Sequence, residues 1–100
     1  MLYALIGEDV ADSLELRKAA RPAHLARLEA LQAEGRLVLA GPLPAIDSPD
    51  PGPAGFSGSL IVADFSSQAE AETWFKADPY VDHGVFRTTL VRPFKQTFPK

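Results

Sequence analysis

Three short apolar runs constrain this chain more than anything else in it: Leu2 to Ile6, Leu37 to Ala40 and Leu60 to Ala63. Each is strand-sized, and none alternates apolar with polar residues as a strand with one wet face does. Both faces of the sheet they build must therefore be covered. Around them lie two segments of helical periodicity, Ser13 to Glu34 and Ser67 to Ala77, and a last strand pattern, Val85 to Arg92. The order βα(α)ββαβ predicts an α+β, ferredoxin-like fold, with helices packed on one face of a four-stranded antiparallel sheet. That supplies helix for one face only. A second copy packing sheet to sheet is the economical cover for the other, so the expected assembly is a homodimer, barrel-like in outline.

Element ends are read from capping and breaking residues. Asp12-Ser13-Leu14-Glu15 fits a helix start, with Asp12 as N-cap and Glu15 at the capping-box position. Pro22 costs about 3 kcal/mol inside a helix, so a break is expected there, giving helices Ser13 to Ala20 and Pro22 to Glu34, the second closed by Gly35. Arg36 to Gly41 reads as the second strand. Pro42 to Gly55 holds five of the nine prolines and reads as a long loop of the lid, binding or interface kind. Gly58 to Phe65 is the third strand, and Ser67-Gln68-Ala69-Glu70 repeats the capping box before a helix stopped at Ala77 by Pro79.

One hundred residues make a single domain, 1–100, that needs neither disulfide nor metal to be stable. The absence of cysteine excludes thiol nucleophiles, thiolate zinc sites and redox centres. A net charge of −3 argues against nucleic acid or anionic lipid as a partner. The first residues lack the basic start of a signal peptide, and no apolar run approaches the ~20 residues of a membrane helix, so the expectation is a soluble, cytoplasmic protein. Two histidines fifty-nine residues apart, with no dense carboxylate cluster, give no metal signature, and the glycine-rich stretch before Ser59 lacks the ending of a phosphate loop.

Arg17, Arg21 and His24 fall on the helical stripe of Leu28 and Leu31, where apolar residues would stabilise more. Such a row marks a lined cleft. His24 suits proton transfer, and a neighbouring carboxylate would fix its tautomer. Asp78 follows a helix whose Ala71, Trp74 and Phe75 share its face, so its carboxylate starts near the core. Each alone has an ordinary reading, a packed histidine and an Asp-Pro turn, but two partly buried polar groups can satisfy one another. Arg21 and Arg17 suit an anionic substrate, although Arg17 equally fits a surface pair with Glu15 or Asp12. Ser59 is a further polar contact. Trp74, Tyr80, Phe86 and Phe94 fit either an aromatic pocket or core and interface, and His83 fits an exposed turn.

Several stretches together resemble the YciI-like, or YCII-related, proteins: Arg21-Pro22-Ala23-His24-Leu25-Ala26-Arg27-Leu28, Glu34-Gly35-Arg36-Leu37, Ala40-Gly41-Pro42, Ala54-Gly55-Phe56, Ala77-Asp78-Pro79-Tyr80-Val81 and Pro93-Phe94-Lys95. The resemblance implies a ferredoxin-like dimer with a cleft at the family's histidine and aspartate, here His24 and Asp78. One relative, from chlorinated-aromatic breakdown, is similar to a dehydrochlorinase using such a pair, which implies cofactor-free acid/base elimination from a small polar or phenolic substrate. The rival expectation is a non-catalytic dimeric module that binds a metabolite or a protein through the same cleft.

Overall fold

The computed structural model describes all 100 residues. It contains β1 (Leu2–Asp9), α1 (Leu14–Ala33), β2 (Leu37–Pro44), a 3₁₀ turn (Gly52–Ala54), β3 (Phe56–Asp64), α2 (Gln68–Lys76), α3 (Pro79–Asp82) and β4 (Phe86–Phe94). The strands form one sheet in the order β2-β3-β1-β4, every neighbouring pair antiparallel. The fold is the expected ferredoxin-like split βαβ arrangement. Consecutive β1 and β2 are separated in space by β3, and β3 and β4 by β1, so each helix crosses over an intervening strand.

On β1 alternation reappears in burial although it is absent from sequence. Tyr3 and Leu5 point into the layer beneath the helices, where they join Ile61, Ala63, Phe65, Phe75 and Val85 in the core. Leu2, Ala4 and Ile6 point the other way and are only half buried. The register places Phe94 opposite Leu2, and Leu90 and Leu60 opposite Ile6, on that second face. On β2 the same face carries Leu39 and Leu43. Leu39, Leu43, Leu90 and Phe94 are 38–48% exposed.

Three expectations about element ends change. Residues 14–33 form one helix, with Pro22 inside it and no break. Pro22 removes the N–H that would bond to the Lys18 carbonyl, but both residues are exposed, so water reaches the freed oxygen. Burial of Arg17 and Ala20 before the proline, and of His24 and Leu31 after it, holds the two halves in line.

Asp12 is not the N-cap. It takes a left-handed φ of 56°, which aspartate tolerates better than most residues, and Ser13 stands at the cap position. The Ser13 hydroxyl donates to Asp9 instead of capping the helix.

The proline-rich loop is shorter than expected, because Pro42 and Pro44 belong to β2. An edge strand accommodates proline, since one side of its backbone has no partner strand to bond. What remains, Ala45 to Gly55, is pinned at its base by the Ala45 N–H to the Gly55 carbonyl (2.9 Å).

The serine half of the second capping box forms: the Ser67 hydroxyl accepts from the Glu70 N–H at 3.1 Å and opens α2, while the Glu70 carboxylate accepts from Ser66 instead of the Ser67 N–H. Pro79 ends that run and then opens α3, where a missing N–H costs nothing at the first helical position. At the tight pairing of β1 with β3, a side chain at Gly58 would meet the Gly7 carbonyl oxygen at 2.2 Å, so only glycine fits this register.

Candidate active site

A cavity of about 460 Å³ lies between α1, the edge strand β2 with its neighbour β3, and α3. Helix α1 supplies one wall. Residues 14, 17, 18, 21, 24, 25 and 28 all face it, a spacing that follows from 3.6 residues per turn. Ala40, Gly41 and Pro42 of β2, Phe56 and Ser59 of β3, and Tyr80 of α3 complete the enclosure.

His24 and Asp78, fifty-four residues apart in sequence, meet at the inner end. His24 Nδ1 lies 2.8 Å from Asp78 Oδ1, with His24 6% exposed and Asp78 wholly buried. Because a carboxylate only accepts, the hydrogen bond puts the proton on Nδ1 and leaves Nε2 as the nitrogen available to the cavity. Asp78 Oδ1 also accepts from the Tyr80 N–H at 2.9 Å, which makes the same carboxylate the N-cap of α3. Its other oxygen accepts from Arg27 Nη1 at 3.2 Å. The carboxylate is thus oriented from three sides. The Tyr80 ring stacks on His24, centroids 3.9 Å apart and planes within 9°, so the imidazole is held in plane as well as at its edge.

Tyr80 reaches the cavity, and burial raises its phenol above the ordinary tyrosine value, against the lowering effect of the Arg17 and Arg21 guanidinium groups. It is therefore a hydrogen-bond donor at neutral pH.

Arg17 is not the surface residue paired with Glu15 or Asp12. It is 6% exposed, its Nε and Nη2 donate to the two oxygens of Asp9 at 2.6 and 2.9 Å, and Nη2 also donates to the Gly58 carbonyl and the Ser59 hydroxyl at 2.8 and 3.0 Å. Its guanidinium lies over both Phe56 and Tyr80. A buried cation with this many acceptors is a strut joining α1 to β1 and β3. Ser59, 4% exposed, borders the cavity as the strut's far end. Arg21 is exposed at the cavity wall and has no carboxylate within ion-pair distance, unlike Arg17, Lys18 and Arg27. His83 is exposed, its ring nitrogen 2.9 Å from the Pro79 carbonyl. Of the four aromatics, only Tyr80 lines the cavity. Phe86 is core, Trp74 packs beside Phe65, and Phe94 lies on the open sheet face.

Two residues of this network escape sequence reasoning. Asp9 sits just past a bulge at the end of β1, and nothing local links it to Arg17 eight residues on. Arg27 carries a usable signal, since it lies three residues after His24 on the same stripe. Its guanidinium rests 4.1 Å from the Trp74 ring centroid while donating to the Trp74 carbonyl and Asp78.

The same architecture occurs in a protein of stated activity. The 5-chloro-2-hydroxyhydroquinone dehydrochlorinase of Burkholderia phenoliruptrix AC1100, solved with 2,5-dihydroxybenzoquinone, superposes with a TM-score of 0.83 at 28% identity, over 95% of this chain and 94% of that one. Protein YciI of Escherichia coli O6:H1 is 56% identical over 98 residues, covering 98% of this chain and all of the relative. A protein of Haemophilus influenzae is 48% identical over the same span. The YCII-related domain model matches residues 1–95, and the chain therefore belongs to the YCII-related family.

Proposed function

We propose that the protein is a cofactor-independent enzyme of lyase type, in which His24 and Asp78 perform acid/base chemistry on a small polar or phenolic substrate. The observation that carries this reading is the buried His24 to Asp78 hydrogen bond at the end of an open cavity. A histidine with Nδ1 engaged and Nε2 facing a cavity has the arrangement of a general base. In an elimination, Nε2 takes a proton from a substrate carbon, the released electron pair forms the new double bond, and the leaving group departs from the neighbouring atom with its own pair. Asp78 then faces an imidazolium, and its negative charge stabilises it. The likeness to a dehydrochlorinase supports elimination as the reaction type. Arg21 and Ser59 contact the substrate, and Arg17 acts from behind Ser59.

Two copies of the chain, packed through the open sheet faces, are the working unit. Leu39, Leu43, Leu90 and Phe94 form an exposed apolar surface that water disfavours and a second sheet would cover.

The test is proton exchange and elimination on a panel of small phenols, hydroxyquinones and carbon acids in D₂O, followed by NMR for wild type, His24→Ala and Asp78→Asn. We expect turnover in wild type and a loss of about 100-fold or more in each variant, with folding retained. Asparagine keeps the Oδ1 cap on α3 but turns a donor toward Arg27, so Tm is measured beside turnover, and turnover lost with Tm little changed separates chemistry from structure. Binding without turnover in every case would establish the non-catalytic module instead.

A further inference from the structure

The charges along α1 point to a specific kind of substrate. Three cations border the cavity, Arg17, Lys18 and Arg21, and no aspartate or glutamate does. Two of the three are already engaged. Arg17 is neutralised by Asp9 at 2.6 Å, and Lys18 pairs with Glu15 at 3.1 Å. Arg21 alone is left with an uncompensated charge, and its planar fork suits two parallel hydrogen bonds to one carboxylate or enolate.

Position adds a distance. Arg21 precedes His24 by three residues, which places the two on one helical stripe with a rise of about 4.5 Å between them. Arg21 is exposed whereas His24 is 6% exposed, so the cation stands at the mouth and the proton-transfer nitrogen deeper inside. Between and opposite them the wall is apolar, from Leu25 and Leu28 of α1 to Pro42 and Ile61. A ligand that satisfies all of these is short, with a charged end at the mouth and an apolar body inward. The cavity, about 460 Å³, is in the lower part of the range for small-molecule sites and suits a single ring or a short chain.

We infer that Arg21 is the anion anchor of the cavity and that the substrate is a small organic anion, a carboxylate or an enolate, held with its charged group at the mouth and its transferable proton deeper, toward His24. This rests on the acid/base role of the same cavity and adds to it the charge, size and orientation of the substrate. The Tyr80 phenol, beside Arg17, stands ready to donate to a second oxygen of such a ligand.

Calorimetric titration tests the anchor, with His24 ring resonances locating each probe in the cavity. The probes are 2,5-dihydroxybenzoquinone and maleate as anions, and hydroquinone as the uncharged ring. We expect at least one anion to bind wild type, about tenfold or more tighter than hydroquinone, with an affinity that falls as salt is added. Arg21→Gln should weaken that anion by about tenfold and remove most of the salt dependence, leave hydroquinone unchanged, and leave Tm unchanged because the side chain is exposed. Arg21→Lys should recover part of the loss. The inference is overturned if neither anion perturbs the His24 resonances of wild type, if hydroquinone binds as tightly, or if Arg21→Gln keeps anion affinity within about twofold. Anion binding through Arg21 with no exchange or elimination by wild type would leave the anchor standing and remove the acid/base role. Turnover that depends on His24 but not on Arg21 would do the reverse.

Discussion

Asp78 shows how one side chain serves fold and chemistry together. Its Oδ1 holds the first N–H of α3 and the imidazole of His24, so the residue that starts a helix also sets a tautomer. Tyr80 repeats the pattern, with its backbone tied to Asp78, its ring stacked on His24 and its phenol at the cavity. Burial raises the Tyr80 pKa, so the fold favours the protonated phenol. That contribution is complete below the unfolded tyrosine pKa, about 10, and is lost as pH rises through the higher folded value. Thermal melts from neutral pH to above pH 10 should therefore fall less steeply in Tyr80→Phe than in wild type. Equal slopes would mean the phenol ionises as freely in the fold as outside it. The meeting of His24 with Asp78 was legible from residues alone, because a histidine on the stripe of Leu28 and Leu31 and a carboxylate just past Trp74 and Phe75 both start near the core, where polar groups need partners. The Asp9 to Arg17 pair was not, since a bulge at the end of β1 turns Asp9 toward α1 and no spacing rule foretells a bulge.

Among the elements, α1 departs furthest from its local signals. Proline propensity breaks it at Pro22, yet it runs through twenty residues and thereby puts Arg17, Arg21 and His24 on one wall. Propensity is a cost of about 3 kcal/mol, and packing on both sides of the proline exceeds it. Pro22→Ala restores the bond to the Lys18 carbonyl on the exposed side, so it should stabilise the protein by about 1 to 3 kcal/mol in urea unfolding. A loss of stability would show that the proline shapes α1 to fit the sheet. Elsewhere local signals sufficed: Ser67 caps α2, and Gly35 follows α1 with a left-handed φ of 71°. Pro79 was read as a stop only. That it also starts α3 depends on the Asp78 carboxylate capping the new turn.

The whole molecule is a two-layer α+β unit in which helices cover one face of the sheet. Helices cover Tyr3, Leu5, Ile61 and Ala63, while Leu39, Leu43, Leu90 and Phe94 remain in contact with water. Sedimentation equilibrium should return a dimer, and Leu39→Arg combined with Leu90→Arg should return a folded monomer, because two charges per face oppose sheet-to-sheet packing. A wild-type monomer at micromolar concentration would remove the dimer from the account. No helix is long and apolar enough to cross a membrane.

The sequence by itself determined the order of the four strands and the two long helical segments, the ferredoxin-like class, the apolar character of both sheet faces and the His24 and Asp78 candidates. All of these follow from periodicity and composition within short windows, where the period of a strand or helix is imposed by backbone geometry. Only the tertiary structure decided that Pro22 stays helical, that Arg17 is a buried strut on Asp9 rather than a surface ion pair, and that Arg27 holds Asp78 from its far side. Each of those outcomes depends on partners or packing that the local pattern does not reveal, and the burial they bring outweighs the local preference.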